Sequence, residues 1–275
     1  MTGTASRRDN LSGGEGGTGG LARVNPEWFA HEVCAEGITR IWEPRVCELL
    51  QSNMFLVQDG DEQLLVDTGL GVAALRESLP KLLERPTPLF LTHSHRDHVG
   101  GAHEFEERLA HPWESDQLVA GLRGSLLRAD MAPAYVTLLE AAGYPVPDCL
   151  LDEVPAGCDV TAHAIPPAPA TRRVQEGDTI SIGTRRFAVL HVPGHTPGSL
   201  ALFEEQTGVL LAGDLLYDGP LIDFLPDCDP ASYRKSMARV LELPLTTVCG
   251  GHEPPMSARR AAEVGQAYLA QSGAS

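Results

Sequence analysis

The chain has 275 residues, 43% hydrophobic and 21% charged, with a formal net charge of −16 at pH 7. That is the composition of a globular chain, long enough to bury roughly three quarters of its unfolded surface without a disulfide or metal staple. An excess of 37 acidic over 21 basic side chains repels phosphate backbones, which excludes a general nucleic-acid binder.

The N-terminal residues 1–22 read as a flexible tail, because Leu11–Gly20 holds six glycines with Ser12, Glu15 and Thr18. Arg7 and Arg8 are not followed by the apolar segment of a signal peptide. No run of 18 apolar residues offers a membrane span. A cytoplasmic location is therefore expected. The six cysteines (Cys34, Cys47, Cys149, Cys158, Cys228, Cys249) contain no C-x-x-C pair, so neither a zinc ribbon nor a disulfide framework is expected.

Residues 23–275 are expected to form one domain. Met54–Gln58 and Gln63–Asp67 read as a strand pair joined through Asp59-Gly60-Asp61. Val72–Leu83 has helical spacing, followed by the breakers Pro86 and Pro88. Leu89–Thr92 reads as a short buried strand ending at His93, and Val99–Leu109 as a helix behind it. Ser115–Leu127 and Pro133–Ala142 read as two further helices, the second stopped by Gly143. A loop-rich stretch around Ala164–Pro169 follows, and residues 111–170 read as an insertion over the core. Hairpins are expected from Thr179–Ile182 with Arg186–Val192, and from Ser199–Phe203 with Val209–Ala212. Asp229-Pro230 opens a helix with Asp as N-cap and Pro at N1. Thr246–Cys249 is a last strand and Ala258–Ala270 a last helix. Strand pairs alternating with helices in two halves predict two sheets between helical layers, an α/β sandwich.

The chemistry concentrates in His93-Ser94-His95-Arg96-Asp97-His98. His93 and His95, two apart, project to one side of extended backbone. Asp97 and His98 follow where the chain bends. Imidazole nitrogen and carboxylate oxygen are ligands for zinc and other borderline metals. One loop cannot close two coordination spheres, so further ligands are expected at other strand ends. His195 in Pro193-Gly194-His195-Thr196-Pro197-Gly198, Asp214 in Ala212-Gly213-Asp214 and His252 in Gly250-Gly251-His252 each follow a strand and a glycine. The remaining histidines (His31, His103, His111, His163, His191) have no motif support.

H-x-H-x-D-H, then P-G-H-T-x-G, then G-D, then G-H, in this order, resembles the metallo-β-lactamase fold superfamily. The likeness runs from about Trp28 to the C-terminus. It implies an αββα sandwich with two divalent metals at one edge, zinc first, with iron or manganese as alternatives. By the family pattern His93, His95 and His195 hold one metal, and Asp97, His98 and His252 the other. Asp214 bridges them, and Asp67 in Val66-Asp67-Thr68-Gly69 orients a ligand imidazole. The resemblance further implies that a water between the metals, its pKa lowered towards ~7, attacks a carbonyl carbon. Asp97 then passes the proton to the leaving group. Tyr217, three residues after Asp214, matches a tyrosine that lactone-hydrolysing members place near the substrate carbonyl.

The segment Leu215–Pro226, with Pro26–His31 and Val66–Gly71, is similar to the metallo-β-lactamase-domain-containing protein 2 group. That likeness implies a hydrolase of acyl thioesters such as acyl-CoA, acting on a small-molecule substrate. Leu221, Ile222, Phe224 and Leu225 are candidates to wall an acyl site. An anionic substrate needs a local basic patch, with Arg172, Arg173, Arg185 and Arg186 as candidates. A lactonase is the alternative within the fold. A mononuclear-iron persulfide dioxygenase ranks lower, because it uses only His93, His195 and Asp214. True β-lactamases are usually exported and lack the aspartate matched by Asp214, which disfavours that activity. Oligomeric state is left open, a homodimer included.

Overall fold

The computed structural model describes residues 28–155 and 157–271, so the predicted tail over 1–22 lies outside the described residues. In chain order come β1 (Ala30–Ala35), β2 (Ile38–Trp42), β3 (Asn53–Asp59), β4 (Glu62–Val66), α1 (Leu75–Ser78), β5 (Leu89–Phe90), α2 (Arg96–Val99) and β6 (Arg108–Ala110). Next are α3 (Pro112–Gln117), β7 (Leu122–Gly124), α4 (Pro133–Ala141), β8 (His163–Ile165) and β9 (Arg172–Arg173). The second half holds β10 (Thr179–Ile182), β11 (Arg185–His191), β12 (Leu200–Glu204), β13 (Val209–Gly213), α5 (Pro230–Val240), β14 (Thr247–Gly250), β15 (Met256–Ser257) and α6 (Ala258–Gln271).

These strands make a seven-stranded sheet, β1-β2-β3-β4-β5-β6-β9, and a six-stranded sheet, β10-β11-β12-β13-β14-β15, with β7 and β8 as a separate pair. Two-residue periodicity sorts their side chains into separate cores. Phe55, Val57, Leu64, Val66 and Phe90 of the first sheet face Phe187, Val189, Leu200, Leu202 and Leu211 of the second. The intervening Met54, Leu56, Leu65 and Leu89 pack outward against Leu75, Leu126, Leu139 and Leu150. On the far side, Ala201, Phe203, Leu210 and Val248 pack against Tyr233, Met237 and Val240 of α5 and Ala261 of α6. Both sheet faces are covered, so the central strands read as unbroken apolar runs. The chain thus forms the expected αββα sandwich.

Three helices are shorter than their apolar spacing predicts. The expected helix over Val72–Leu83 reduces to α1, because Pro80 supplies no N–H to continue it. The expected helix over Val99–Leu109 is replaced by α2, a single 3-10 turn at Ala102–Glu104 and β6. At Gly100 the backbone lies directly on Leu70 and Gly71, where a Cβ would collide. That contact fixes the chain path and ends the helix. The expected helix over Ser115–Leu127 becomes α3, which begins at Pro112, and then β7, whose residues pair with β8 instead. The hairpin β1–β2, with its register from Ala30↔Trp42 to Ala35↔Ile38, had no specific sequence expectation.

Two parallel steps aim the site. β4 runs parallel to β5, and β13 parallel to β14. Their C-terminal ends therefore emerge at one edge of the sandwich, and the loops there carry Asp67, His93, Asp214 and His252. Residues 111–170 return to the same apolar cluster as the first sheet, through Leu118, Leu126, Val136, Leu139, Ile165 and Ala168.

Candidate metal centre

The seven candidate ligands meet at that edge. Their ligand atoms form three groups, His93/His95/His195, His93/His98/Asp214 and Asp97/His98/His252, each with all ligand atoms within 4.8 Å of one another. His95 Nδ1 and His195 Nε2 lie 2.9 Å apart. Asp214 stands between the groups. Its Oδ2 lies 3.8 Å from His93 Nε2 and 3.3 Å from both His195 Nε2 and His252 Nε2. Its Oδ1 lies 3.3 Å from His98 Nε2. Asp97 Oδ2 is 3.5 Å from both His98 Nε2 and His252 Nε2.

The outer face of the cluster fixes which nitrogens point inward. His98 Nδ1 donates to Asp67 Oδ2 at 2.8 Å, and His195 Nδ1 donates to Ile222 O at 2.8 Å. Thr92 Oγ1 donates its only proton to Asp67 Oδ2 at 2.7 Å, so His93 Nδ1, 3.0 Å away, is the donor to that hydroxyl. Asp67 thereby orients His98 directly and His93 through Thr92. In each case the other ring nitrogen is turned toward the centre. His93 Nε2, His98 Nε2 and Asp214 Oδ1 are buried without a hydrogen-bond partner. Buried polar atoms rarely stay unpaired, and three converging on one point suit a cation. The residues fit divalent metals.

Electrostatics agrees. Burial, with other imidazoles nearby, pushes His95 down to about 3 and holds His93 and His195 below the ordinary histidine range. They are neutral lone-pair donors at pH 7, the state a metal requires. Burial also acts on His98 and His252, but Asp214 and Asp97 outweigh it and raise both. For Asp214, burial favours the neutral acid, and the imidazoles of His98, His252 and His93 reverse this, holding it well below the usual carboxylate range.

Several residues hold the loops and had no sequence signal. Asn53 Nδ2 donates to Gly250 O at 2.9 Å and to Glu253 O at 2.5 Å, tying the His252 loop to β3. The Ser52 hydroxyl donates to Asp97 O. Tyr233 places its hydroxyl between the carbonyls of Asp214 and Leu215, at 2.7 and 2.8 Å. Buried Glu114 joins the loops of His95 and His195 through Ser94, Thr196 and Gly198. A Cβ at Gly251 would run into Asp214 Oδ1, which explains the glycine before His252.

Tyr217, expected near the substrate carbonyl, has its hydroxyl engaged within the protein. It is 1% exposed, and its hydroxyl donates to Pro220 O at 2.6 Å while accepting from Tyr144 at 3.0 Å. The ring leans on His252, centroids 5.2 Å apart, and Tyr217 is not among the residues that line the cleft beside the metal ligands.

That cleft has a volume of about 430 Å³ and reaches His95, Asp97, His195, Asp214 and His252 at its floor. Its walls are largely apolar, from Leu49, Leu50, Trp113, Met131, Leu150 and Leu225. Of the predicted acyl wall, Ile222 and Leu225 line it, whereas Leu221 and Phe224 line a separate groove against α6. The four predicted basic-patch residues lie elsewhere. Arg173 pairs with Asp116, Arg185 pairs with Glu204, Arg186 donates to Gly183 O, and Arg172 lies exposed on β9.

The pattern of the metallo-beta-lactamase superfamily matches residues 47–252. The chain is 33% identical to the acyl-coenzyme A thioesterase MBLAC2 of Gallus gallus over 262 residues, 90% of this chain and 88% of that one. It is 32% identical to a hydroxyacylglutathione hydrolase of Cereibacter sphaeroides over 207 residues, covering 72% of this chain and 61% of that one. Among solved structures, a metallo-beta-lactamase family protein from Thermus thermophilus superposes with a TM-score of 0.62 at 22% identity, covering 88% and 81% of the two chains. Among the described residues, no helix is long and apolar enough to cross a membrane.

Proposed function

Because this chain belongs to the metallo-beta-lactamase superfamily, we propose that it hydrolyses the thioester bond of an acyl-CoA or another acylated thiol. The observation that carries the reading is Asp214, whose two oxygens face ligand imidazoles of both metal groups, at the floor of an apolar cleft. Both named relatives act on acyl groups held by a thiol, which supports the choice of bond.

His93, His95 and His195 would hold one divalent metal, and Asp97, His98 and His252 a second, with Asp214 shared between them. Zinc is the metal we favour. Metals so held supply a water of lowered pKa and a Lewis acid for the carbonyl oxygen. The protein supplies the rest. The apolar walls at Leu49, Leu50, Trp113 and Leu150 bind the acyl chain and exclude bulk water. Asp97 lines the cleft, where its carboxylate would take the proton of the attacking water and return it to the departing sulfur. A thiolate leaves easily at neutral pH, so no stronger acid is required.

The test is hydrolysis of acyl-CoA, acylated small thiols and lactones by zinc-loaded protein, with metal content measured on the same sample. The expected result is thioester turnover with about two zinc per chain. Turnover of lactones alone, or one iron with oxygen uptake, would replace this reading. Inertness towards every substrate would end it.

A further inference from the structure

The cleft contains two positive charges that metal binding does not employ. Arg96 stands inside the H-x-H-x-D-H segment, and Arg123 lies on β7; both line the cleft. Among the described residues, no carboxylate oxygen lies within 4.0 Å of either guanidinium, although the chain carries 37 acidic side chains. The other carboxylates of the cleft are Asp97, Asp214 and Asp227.

Arg96 is held in place by neutral groups. Its Nη1 donates to Ser125 O at 3.1 Å and its Nη2 donates to His163 Nδ1 at 3.0 Å. Burial and Arg96 itself push buried His163 down to about 4, so the imidazole accepts this bond and brings no charge. Gly124 offers only backbone to the guanidinium, and a Cβ there would lie 3.3 Å from Nη1. Five N–H groups minus these two bonds leave three for another acceptor. A half-buried guanidinium, hydrogen-bonded only to neutral partners and with the charge of its chain neighbour Asp97 acting from beyond 4.0 Å, still gains from an anion that a ligand supplies.

We propose that Arg96 and Arg123 form an anion-recognition subsite that selects thioesters bearing a carboxylate or phosphate group. The subsite rests on the thioester reading of the cleft. It adds the feature that separates substrates: an oxyanion at the arginine wall while the carbonyl lies over the metal floor. Planar guanidinium forks match both kinds of oxyanion. The anion can belong to the acyl part or to the thiol part, and two probes distinguish these sources.

The test uses binding, so it does not depend on turnover. Three non-hydrolysable thioethers are titrated calorimetrically into the metal-loaded full chain. They are S-hexylpantetheine, its 4′-phosphate, and S-(5-carboxypentyl)pantetheine. One anionic ligand is expected to bind about tenfold more tightly than the neutral one, the size of one charge-assisted contact. Arg96→Gln and Arg123→Gln should each reduce that preference, and Arg96→Lys should restore part of it. Arg123 is exposed on its strand, so its variant remains informative if Arg96→Gln folds poorly. Equal affinity for all three ligands in the wild type would overturn the subsite. So would a preference that survives in both Gln variants, because the anion would then be sitting on the metals. Anion-selective binding without hydrolysis of the matching thioesters would leave the subsite standing and remove the thioesterase reading; hydrolysis without selectivity would do the reverse.

Discussion

Glu114 Oε2 accepts both the backbone N–H of Ser94, at 2.8 Å, and its hydroxyl, at 2.6 Å. The second oxygen, Oε1, accepts from Thr196 Oγ1 at 2.5 Å and from Gly198 N at 2.9 Å. One buried carboxylate thus ties the loop of His93 and His95 to the loop of His195, with His95 and His195 separated by 100 residues of sequence. Burial raises its pKa, and these four donors pull it back.

Replacing that carboxylate by alanine leaves two backbone N–H groups buried without an acceptor. Glu114→Ala is expected to destabilise the chain by about 3 kcal/mol or more, at 1–3 kcal/mol per orphaned group. Urea denaturation measures this, and metal content on the same preparation should fall with it. Glu114→Gln keeps one acceptor oxygen and should lie between. Full stability and full metal content in Glu114→Ala would show that the two loops hold themselves.

Asp67 sits at φ 61°, in the left-handed region, and accepts from Thr92 N, Thr92 Oγ1 and His98 Nδ1. Asparagine tolerates that backbone, so Asp67→Asn changes the hydrogen bonding without adding strain. Its amide cannot accept at both positions, and either His98 or Thr92 loses its orientation. Metal affinity, measured by competition with a chelator, is expected to fall about 10–100-fold. Asp67→Ala should lose more, because alanine also resists the backbone conformation. Unchanged affinity in Asp67→Asn would mean that His98 is oriented by packing alone.

The candidate ligands could be read from the sequence because they are announced locally: four stand together in His93-Ser94-His95-Arg96-Asp97-His98, and His195, Asp214 and His252 each follow a strand and a glycine, as in Ala212-Gly213-Asp214. The two sheets were legible from strand pairs with short turns. The supporting residues were not. Thr92, Asn53 and Glu114 act through partners far along the chain, and nothing beside them distinguishes them from ordinary polar residues. Glu114 even lies within residues 111–170, which the sequence alone presents as an addition over the core. The same limit shortened the helix expected after His98: apolar spacing continues to Leu109, but the contact of Gly100 with Leu70 and Gly71 decides the path.

Tyr217 gives a direct contrast between two placements. With its hydroxyl bonded to Pro220 O and Tyr144, the phenol is engaged in holding its own loop. Tyr217→Phe is expected to lower stability by about 1 kcal/mol, the net value of one hydrogen bond. Its kcat should stay within about threefold of wild type, whereas a phenol acting on the substrate would cost about 10²-fold or more. Steady-state kinetics on the best thioester separates the two, and a large loss of kcat with normal folding would move Tyr217 into the chemistry.

Glu43 makes stability depend on pH in an identifiable direction. Burial raises its carboxyl from 4.5 to about 7, despite hydrogen bonds from Leu70 N at 2.6 Å and Trp28 Nε1 at 2.9 Å. A folded-state pKa above the unfolded one means that the native chain binds the extra proton between those values. The proton therefore favours folding at low pH, and this contribution is lost as pH rises from about 4.5 through about 7. The shift corresponds to about 3 kcal/mol across that window. Glu43→Gln cannot titrate, so its stability relative to wild type should improve as pH rises from 5 to 8, whatever its absolute value. Taking that difference cancels the titration of the histidine ligands, which both proteins share. A wild-type-minus-variant difference that stays flat from pH 5 to 8 would mean that Glu43 remains ionised in the core, held by Trp28 and Leu70.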